Sequence, residues 1–338
     1  MDVKESIKNQ TDVALGLSMH VLTIQPKDRN AVFSPLSVQV LLTLIAAGSK
    51  GTTLEQLLAF LKSKATEELC SFSSEIVSNI LADGSANGGP CLSFASGAWI
   101  DKSLTFKTSF KKIADKIKAA SNHVDFRIKF DASDTEDRDF YLCDGSTVRV
   151  PFMTSKKKNQ LIRRFKDKGF KVLGLPYAQG EDKRKFSMYL FLPDAKDGLP
   201  ALLEQITSES GFLDSHLPHG HAYMIPHDLR IPKFKISFGL EVSNVLKGLG
   251  LVLPFSGDEA DFTDMVESSA GEHLFVSSIW HKSFIEVNEQ SAASDGNEIR
   301  TRNLMVDFVA DHPFLFVVRE DTTGAVLFIG QVVNPLQF

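Results

Sequence analysis

Near Phe130 the hydrophobic period of this chain changes. Before that point apolar residues recur every three to four positions; beyond it, short runs alternate or stay continuously apolar, as strands do. Helices first and strands afterwards fit an α+β fold, in which an N-terminal helical layer packs on a large mixed sheet, with smaller sheets toward the C-terminus. The helical part begins in residues 1–25, where apolar positions are interleaved with Asp2, Lys4, Glu5, Lys8 and Asp12. Ser34-Pro35 then supplies an N-cap and a pre-set first turn for a helix carrying Leu36, Val40, Leu41 and Leu44 up to a stop at Gly48. With almost no charge, this helix belongs in the interior. Thr52-x-x-Glu55 has the form of a capping box, and the short helix it opens ends near Leu61. Phe110, Ile113, Ala114 and Ile117 against Lys111, Lys112, Lys116 and Lys118 write a further amphipathic helix.

Residues 147–153, 171–176, 185–192, 230–237, 274–288, 313–319 and 325–333 read as strands. The last two flank residues 320–324, a hairpin signal with Gly324 in the turn. Residues 274–288 place Phe275, Ile279, His281, Ser283 and Ile285 on one side and Val276, Trp280 and Phe284 on the other. Both faces being mostly apolar, this strand is expected inside a covered sheet. No repeat, low-complexity tract or linker divides the chain, so residues 1–338 read as one domain.

The usual catalytic signatures, GxSxG, GxGxxG, GxxxxGK[ST], HExxH and EF-hand loops, do not occur, so neither an enzyme nor a cofactor is expected. The longest apolar stretch, residues 38–47, is broken by Gln39 and Thr43 and falls short of the ~18–20 residues that span a bilayer. Without an h-region or a small-residue cleavage site near the N-terminus, a cytoplasmic or nuclear monomer is expected. Cys70, Cys91 and Cys143 stand singly, which suits a reducing compartment.

His216, His219, His221 and His227 lie close enough in sequence to share a zinc ion, but no CxxC or acidic motif at ligand spacing accompanies them, and a polar surface loop is the preferred reading. His281 and Ser283, two apart on one strand face, fit a hydrogen-bonded core pair better than a base and nucleophile, since no orienting group or oxyanion donor is identifiable. Residues 156–171 hold Lys156, Lys157, Lys158, Arg163, Arg164, Lys166, Lys168 and Lys171 against Asp167 alone. In a chain of net charge −5 this reads first as a solvated surface segment, with weak polyanion binding as the alternative. Residues 290–302 are small and polar and have little to bury, so an exposed loop presenting Arg300 and Arg302 to trypsin-like proteases is expected.

These segments together resemble the serpin family, and its plant branch in particular. Asn30-Ala-Val-Phe-Ser-Pro-Leu-Ser-Val is similar to the start of the family's helix B, which implies that Ser34 and Ser37 belong to the shutter beneath the main sheet. Leu175-Pro-Tyr, Phe191-Leu-Pro, Ile231-Pro-Lys-Phe and Leu249-Gly-Leu continue the match, as do Phe255, Phe262 and Met265. Ile279-Trp-His-Lys-Ser-Phe-Ile-Glu-Val-Asn-Glu resembles the strand that leads into the reactive-centre loop, with His281 as the shutter histidine. Asp311-His-Pro-Phe and Phe328-Ile-Gly-Gln-Val-Val-Asn-Pro resemble the C-terminal signature. The resemblance implies a hinge at Glu289, Gln290, Ser291, Ala292 and Ala293 and a bait bond Arg302–Asn303, with Arg300–Thr301 as the alternative. It also implies the family's activity: a serine or cysteine endopeptidase cleaves the loop and stays acyl-linked while the loop enters the main sheet as a new strand.

Two departures from the family pattern predict that such trapping is weak or lost, leaving a substrate or a binding module on the same scaffold. After residues 121–126 the chain runs straight into residues 130–135, where the family carries a further helix and a central strand of the main sheet. An inserted loop would then lack a ladder partner on one side. The hinge, moreover, continues as Ser291-Ala-Ala-Ser-Asp-Gly296, and a strand built from this loop buries either Asp295 or both Glu298 and Arg300. The loop is also short: fully extended, residues 290–302 span only about 43 Å.

Overall fold

In the computed structural model the described residues are 3–338 apart from 88–91, 93, 118–131, 155–159, 178, 219–222, 225, 227, 268–272 and 289–305. The first helix, α1 (Val3–Ile24), is followed by β1 (Ala31–Phe33), α2 (Pro35–Gly48), α3 (Gly51–Phe60), α4 (Thr66–Glu75) and α5 (Thr108–Ile117). Then come β2 (Glu136–Tyr141), β3 (Thr147–Thr154), β4 (Gln160–Phe165), β5 (Phe170–Pro176) and β6 (Phe186–Pro193). After α6 (Leu199–Ser208) and α7 (Phe212–His216) the chain forms β7 (Tyr223–Met224), β8 (Leu229–Pro232), β9 (Phe234–Glu241) and α8 (Ser243–Gly248). It closes with β10 (Trp280–Val287), β11 (Phe308–Val309), β12 (Phe314–Glu320) and β13 (Val326–Val332).

Local chemistry explains where α2 starts and stops. Ser34 is extended (φ −105°, ψ 98°) and its hydroxyl accepts from the Ser37 amide, while Pro35 occupies the first turn. Eleven of the helix's residues, including Gln39 and Thr43, are buried, as its lack of charge requires. The Thr43 hydroxyl is satisfied by donating to the Gln39 carbonyl at 3.0 Å. The helix α3 corrects one expectation: its N-cap is Lys50, without a side-chain cap, so Thr52 does not cap it. Thr53 instead accepts at 3.0 Å from the Asp261 amide.

The strands fall into three sheets. Seven strands run in the order β1-β13-β12-β6-β5-β4-β7, all antiparallel. Four run β11-β8-β3-β2, and among the described residues β9 pairs only with β10. Strand β6 is buried at every position and β13 likewise, so the middle of the seven-stranded sheet is covered on both faces. Gly330 is demanded by close approach, because a Cβ there would lie 2.6 Å from the Ala31 carbonyl oxygen and against the Phe316 ring.

Three sequence expectations change. Residues 230–237 form two strands rather than one: β8 joins the four-stranded sheet, and β9 leaves it after Lys233 to pair with β10. Of residues 274–288 only 280–287 are strand, and β10 sits at a sheet edge instead of inside a covered sheet. Its Trp280 and Lys282 are exposed while His281, Ser283, Ile285 and Val287 are buried, the alternation of a half-covered strand. Part of the basic segment 156–171, finally, is sheet: β4 and β5 form a hairpin around Gly169 (φ 72°). No helix among the described residues is long and apolar enough to cross a membrane.

Candidate functional site

The start of helix α2 packs against strand β10, and there the structure brings together Ser34, Ser37 and His281. The Ser34 amide donates to His281 Nε2 at 3.1 Å, and the Ser37 hydroxyl donates to Ser34 Oγ at 2.8 Å. An amide can only donate, so Nε2 carries the imidazole lone pair and Nδ1 the proton. The Ser283 hydroxyl therefore also donates to Nε2, at 2.5 Å. The Phe33 ring lies 4.7 Å from the imidazole. Burial pushes the His281 pKa down to about 4, so the ring is neutral at pH 7. A neutral acceptor fits this setting, because a protonated Nε2 would face two donors. His281 and Ser283 thus form a hydrogen-bonded core pair, with Nε2 also engaged by the Ser34 amide.

The Val242 amide donates to the Ile279 carbonyl at 2.7 Å, which fixes the phase of the β9–β10 ladder. Since hydrogen-bonded pairs alternate, His281, Ser283, Ile285 and Val287 bond to β9, and Trp280, Lys282, Phe284 and Glu286 turn their N–H and C=O groups to the other edge. Among the described residues no strand pairs with that edge. A cavity of about 880 Å³ is lined by its residues, by Val38, Leu41 and Ile45 of α2 and by residues 94–101. Trp99, 89% exposed, and Trp280, 74% exposed, line it and are the only tryptophans of the chain.

The remaining sequence candidates are dispersed. Glu289, Gln290, Ser291, Ala292, Ala293 and both bait pairs, Arg300–Thr301 and Arg302–Asn303, lie outside the described residues, as do Lys156, Lys157, Lys158, His219, His221, His227 and Cys91. His216 is not in a surface loop: 4% exposed, it stacks on Phe212 at 4.1 Å, and its Nδ1 is 2.9 Å from the Phe212 carbonyl oxygen. No group of His, Cys, Asp or Glu among the described residues is placed to hold a metal ion. The basic segment is partly neutralised locally. Arg164 pairs with Asp194 at 3.2 Å and Lys168 with Glu209 at 2.5 Å, while Arg163 lies over the Phe165 ring.

Two polar networks escaped sequence reasoning. Asn30 ties the C-terminus to β1, donating to the carbonyls of Asn334 and Gln337 at 2.6 and 2.8 Å and accepting from the amides of Val333 and Asn334 at 2.7 and 3.0 Å. Glu320, 2% exposed, accepts from the amides of Lys185, Thr322 and Thr323 and from the Thr323 hydroxyl. Burial acts to raise its pKa, but those hydrogen bonds prevail and hold the carboxyl below its ordinary value. Asn30 heads the 30–38 segment in the sequence, but no local pattern announces partners some 300 positions away.

A family model described as Serpin (serine protease inhibitor) matches residues 8–129 and 125–335. The chain is 50% identical over 396 positions to Serpin-ZX of Arabidopsis thaliana, spanning 99% of this chain and 100% of that one. To Serpin-ZXA of Oryza sativa subsp. japonica it is 42% identical, over 99% of this chain and 98% of that one. The solved structure of Arabidopsis AtSerpin1 in its native stressed conformation is similar with a TM-score of 0.90 and 46% identity, each chain covered in full. An alignment of 396 positions against 338 residues leaves at least 58 positions of Serpin-ZX without a counterpart here. The two parts of the family match meet at residues 125–129, next to the junction where the sequence runs short. With a family match over most of its length and a plant relative half identical to it, this chain belongs to the serpin family, on its plant-type branch.

Proposed function

We propose that this serpin presents its loop to trypsin-like proteases as a substrate and does not trap them. The observation that carries this reading is the outer edge of β10, with which no strand among the described residues pairs, since a loop entering beside it gains ladder bonds on one side only. The gap of at least 58 positions relative to Serpin-ZX supports it. So do Asp295, Glu298 and Arg300, of which either parity of an inserted strand buries at least one unpaired charge. Acylation then runs on to hydrolysis, because no strand addition outcompetes water at the acyl-enzyme. The preferred bond is Arg302–Asn303, with Arg300–Thr301 next.

Incubation with trypsin at a low ratio tests this. A nicked protein whose C-terminal fragment begins at Asn303, with full protease activity recovered and an unchanged or lower melting temperature, is expected. A covalent complex that survives a denaturing gel, or a large rise in melting temperature after nicking, overturns it and makes the chain a working inhibitor.

A further inference from the structure

The cavity lined by β10 is uneven in its chemistry. Val38, Leu41, Ile45 and Phe94 give it apolar surface, and Trp99 and Trp280 add two broad, exposed aromatic faces. Its volume of about 880 Å³ is that of a pocket for a drug-sized small molecule. The charged or titratable side chains that line it are Asp101, His273 and Lys282. The single acid among them is committed to its own turn: the Asp101 carboxylate accepts from the Ser103 amide at 2.9 Å and from the Ser103 hydroxyl at 2.7 Å. Lys282 has no such commitment. It is exposed, it lies opposite Gly239 in the ladder, where there is no side chain to meet, and its ammonium makes no ion pair or hydrogen bond among the described residues. Ser96 Oγ, a buried atom, likewise lacks a hydrogen-bond partner among them. A cation and a hydroxyl donor are thus left uncommitted beside apolar and aromatic surface, with no free acid to answer them.

We propose that this cavity binds an amphipathic organic anion, a flat aromatic body of drug size carrying one acid group. The acid group, a carboxylate or a sulfonate, only accepts, and it meets the Lys282 ammonium and the N–H groups that Trp280, Lys282 and Phe284 turn toward the edge. The aromatic body covers the surface of Val38, Leu41 and Ile45 and lies against the indole rings, removing apolar area from water. A cationic ligand is disfavoured, since Lys282 repels it and the one carboxylate is already occupied by Ser103. A neutral ligand keeps the apolar contacts and loses the charge-assisted ones. Residues 290–302 take no part, so the outcome does not depend on whether the loop traps a protease.

The probe is 8-anilinonaphthalene-1-sulfonate, compared with N-phenyl-1-naphthylamine, the same ring system without the acid group. Both tryptophans of the chain line the cavity, so energy transfer from tryptophan to the bound naphthalene reads occupancy there. Saturable transfer at one site per chain is expected for the sulfonate, with the neutral amine bound about tenfold or more weaker. Lys282→Glu should weaken the sulfonate by a similar factor and leave the amine unchanged, because Lys282 is exposed and its loss removes charge rather than packing. If that variant does not fold, the comparison of the two probes on the parent protein still decides. Transfer that does not saturate, equal affinity for the two probes, or a sulfonate affinity indifferent to Lys282→Glu overturns the proposal.

Discussion

His281 should make this protein acid-sensitive in a pH range where its buried carboxylates do not. In the unfolded chain its imidazole titrates near the ordinary 6.5; in the folded protein burial holds it at about 4. The folded state therefore binds the proton less readily. Stability is complete above pH 6.5, falls as the pH drops toward 4, and falls no further from this group below that. For one group moved between these values the loss from pH 7 to pH 5 is about 2 kcal/mol, and the full loss about 3 kcal/mol. Glu320, held below its ordinary 4.5, adds a loss only at lower pH. Asp321, raised chiefly by burial, works in the opposite direction, because the folded state holds its proton more firmly. Equilibrium unfolding in urea at pH 7 and pH 5 measures the effect, and His281→Gln isolates it. That variant should be about 1–3 kcal/mol less stable at pH 7, having lost the acceptor for the Ser34 amide and the Ser283 hydroxyl. It should then lose about 2 kcal/mol less than the parent on going to pH 5. Equal losses in parent and variant would refute the argument, since the acid sensitivity would then arise elsewhere.

Gly330→Ala should cost about 1–3 kcal/mol in urea unfolding, because its methyl meets the Ala31 carbonyl and the Phe316 ring in a sheet with no room to shift; a variant as stable as the parent removes the packing argument. The β4–β5 hairpin should hold heparin only weakly and release it by about 0.15 M salt, since Arg164 and Lys168 already face Asp194 and Glu209. Retention well above that salt level would mark a dedicated polyanion site.

Legibility from sequence follows how local the determining physics is. The helix α2 could be read from Ser34-Pro35 to Gly48 because a cap, a proline and a chargeless run are all written within fifteen residues. The hairpin of β12 and β13 was readable for the same reason, its turn lying between two apolar runs. Partition among sheets was not. The segment 230–237 shifts its buried parity by one between Ile231 and Phe234, and β8 and β9 belong to different sheets; a period of two does not record which neighbour a strand finds. In β4 the basic residues masked a strand. Ile162 is buried while Arg163 and Arg164 are exposed, and the density of positive charge outweighed that signal.

The site shows the same limit more sharply. Ser34 and His281 are separated by 247 positions, and nothing in either neighbourhood names the other; only the family resemblance puts them together before the structure does. That resemblance also located the shortened junction, but it could not say what the shortening leaves behind. A missing strand might have been absorbed by closing the sheet, with β10 drawn against residues 94–101. Among the described residues no strand fills that place, and the reason lies in what stands beneath it. Helix α2 is fixed by its cap, by its buried residues and by the hydrogen bond from Ser34 to His281, so the floor and β10 move together or not at all. Residues 94–101 line the same cavity, their Phe94 buried at 6% exposure. Closing the gap would require sliding one wall across a packed helix surface, at the expense of contacts a dense core cannot replace. The open edge is thus a consequence of the same packing that stabilises the rest of the fold. It should persist in any variant that keeps α2 intact.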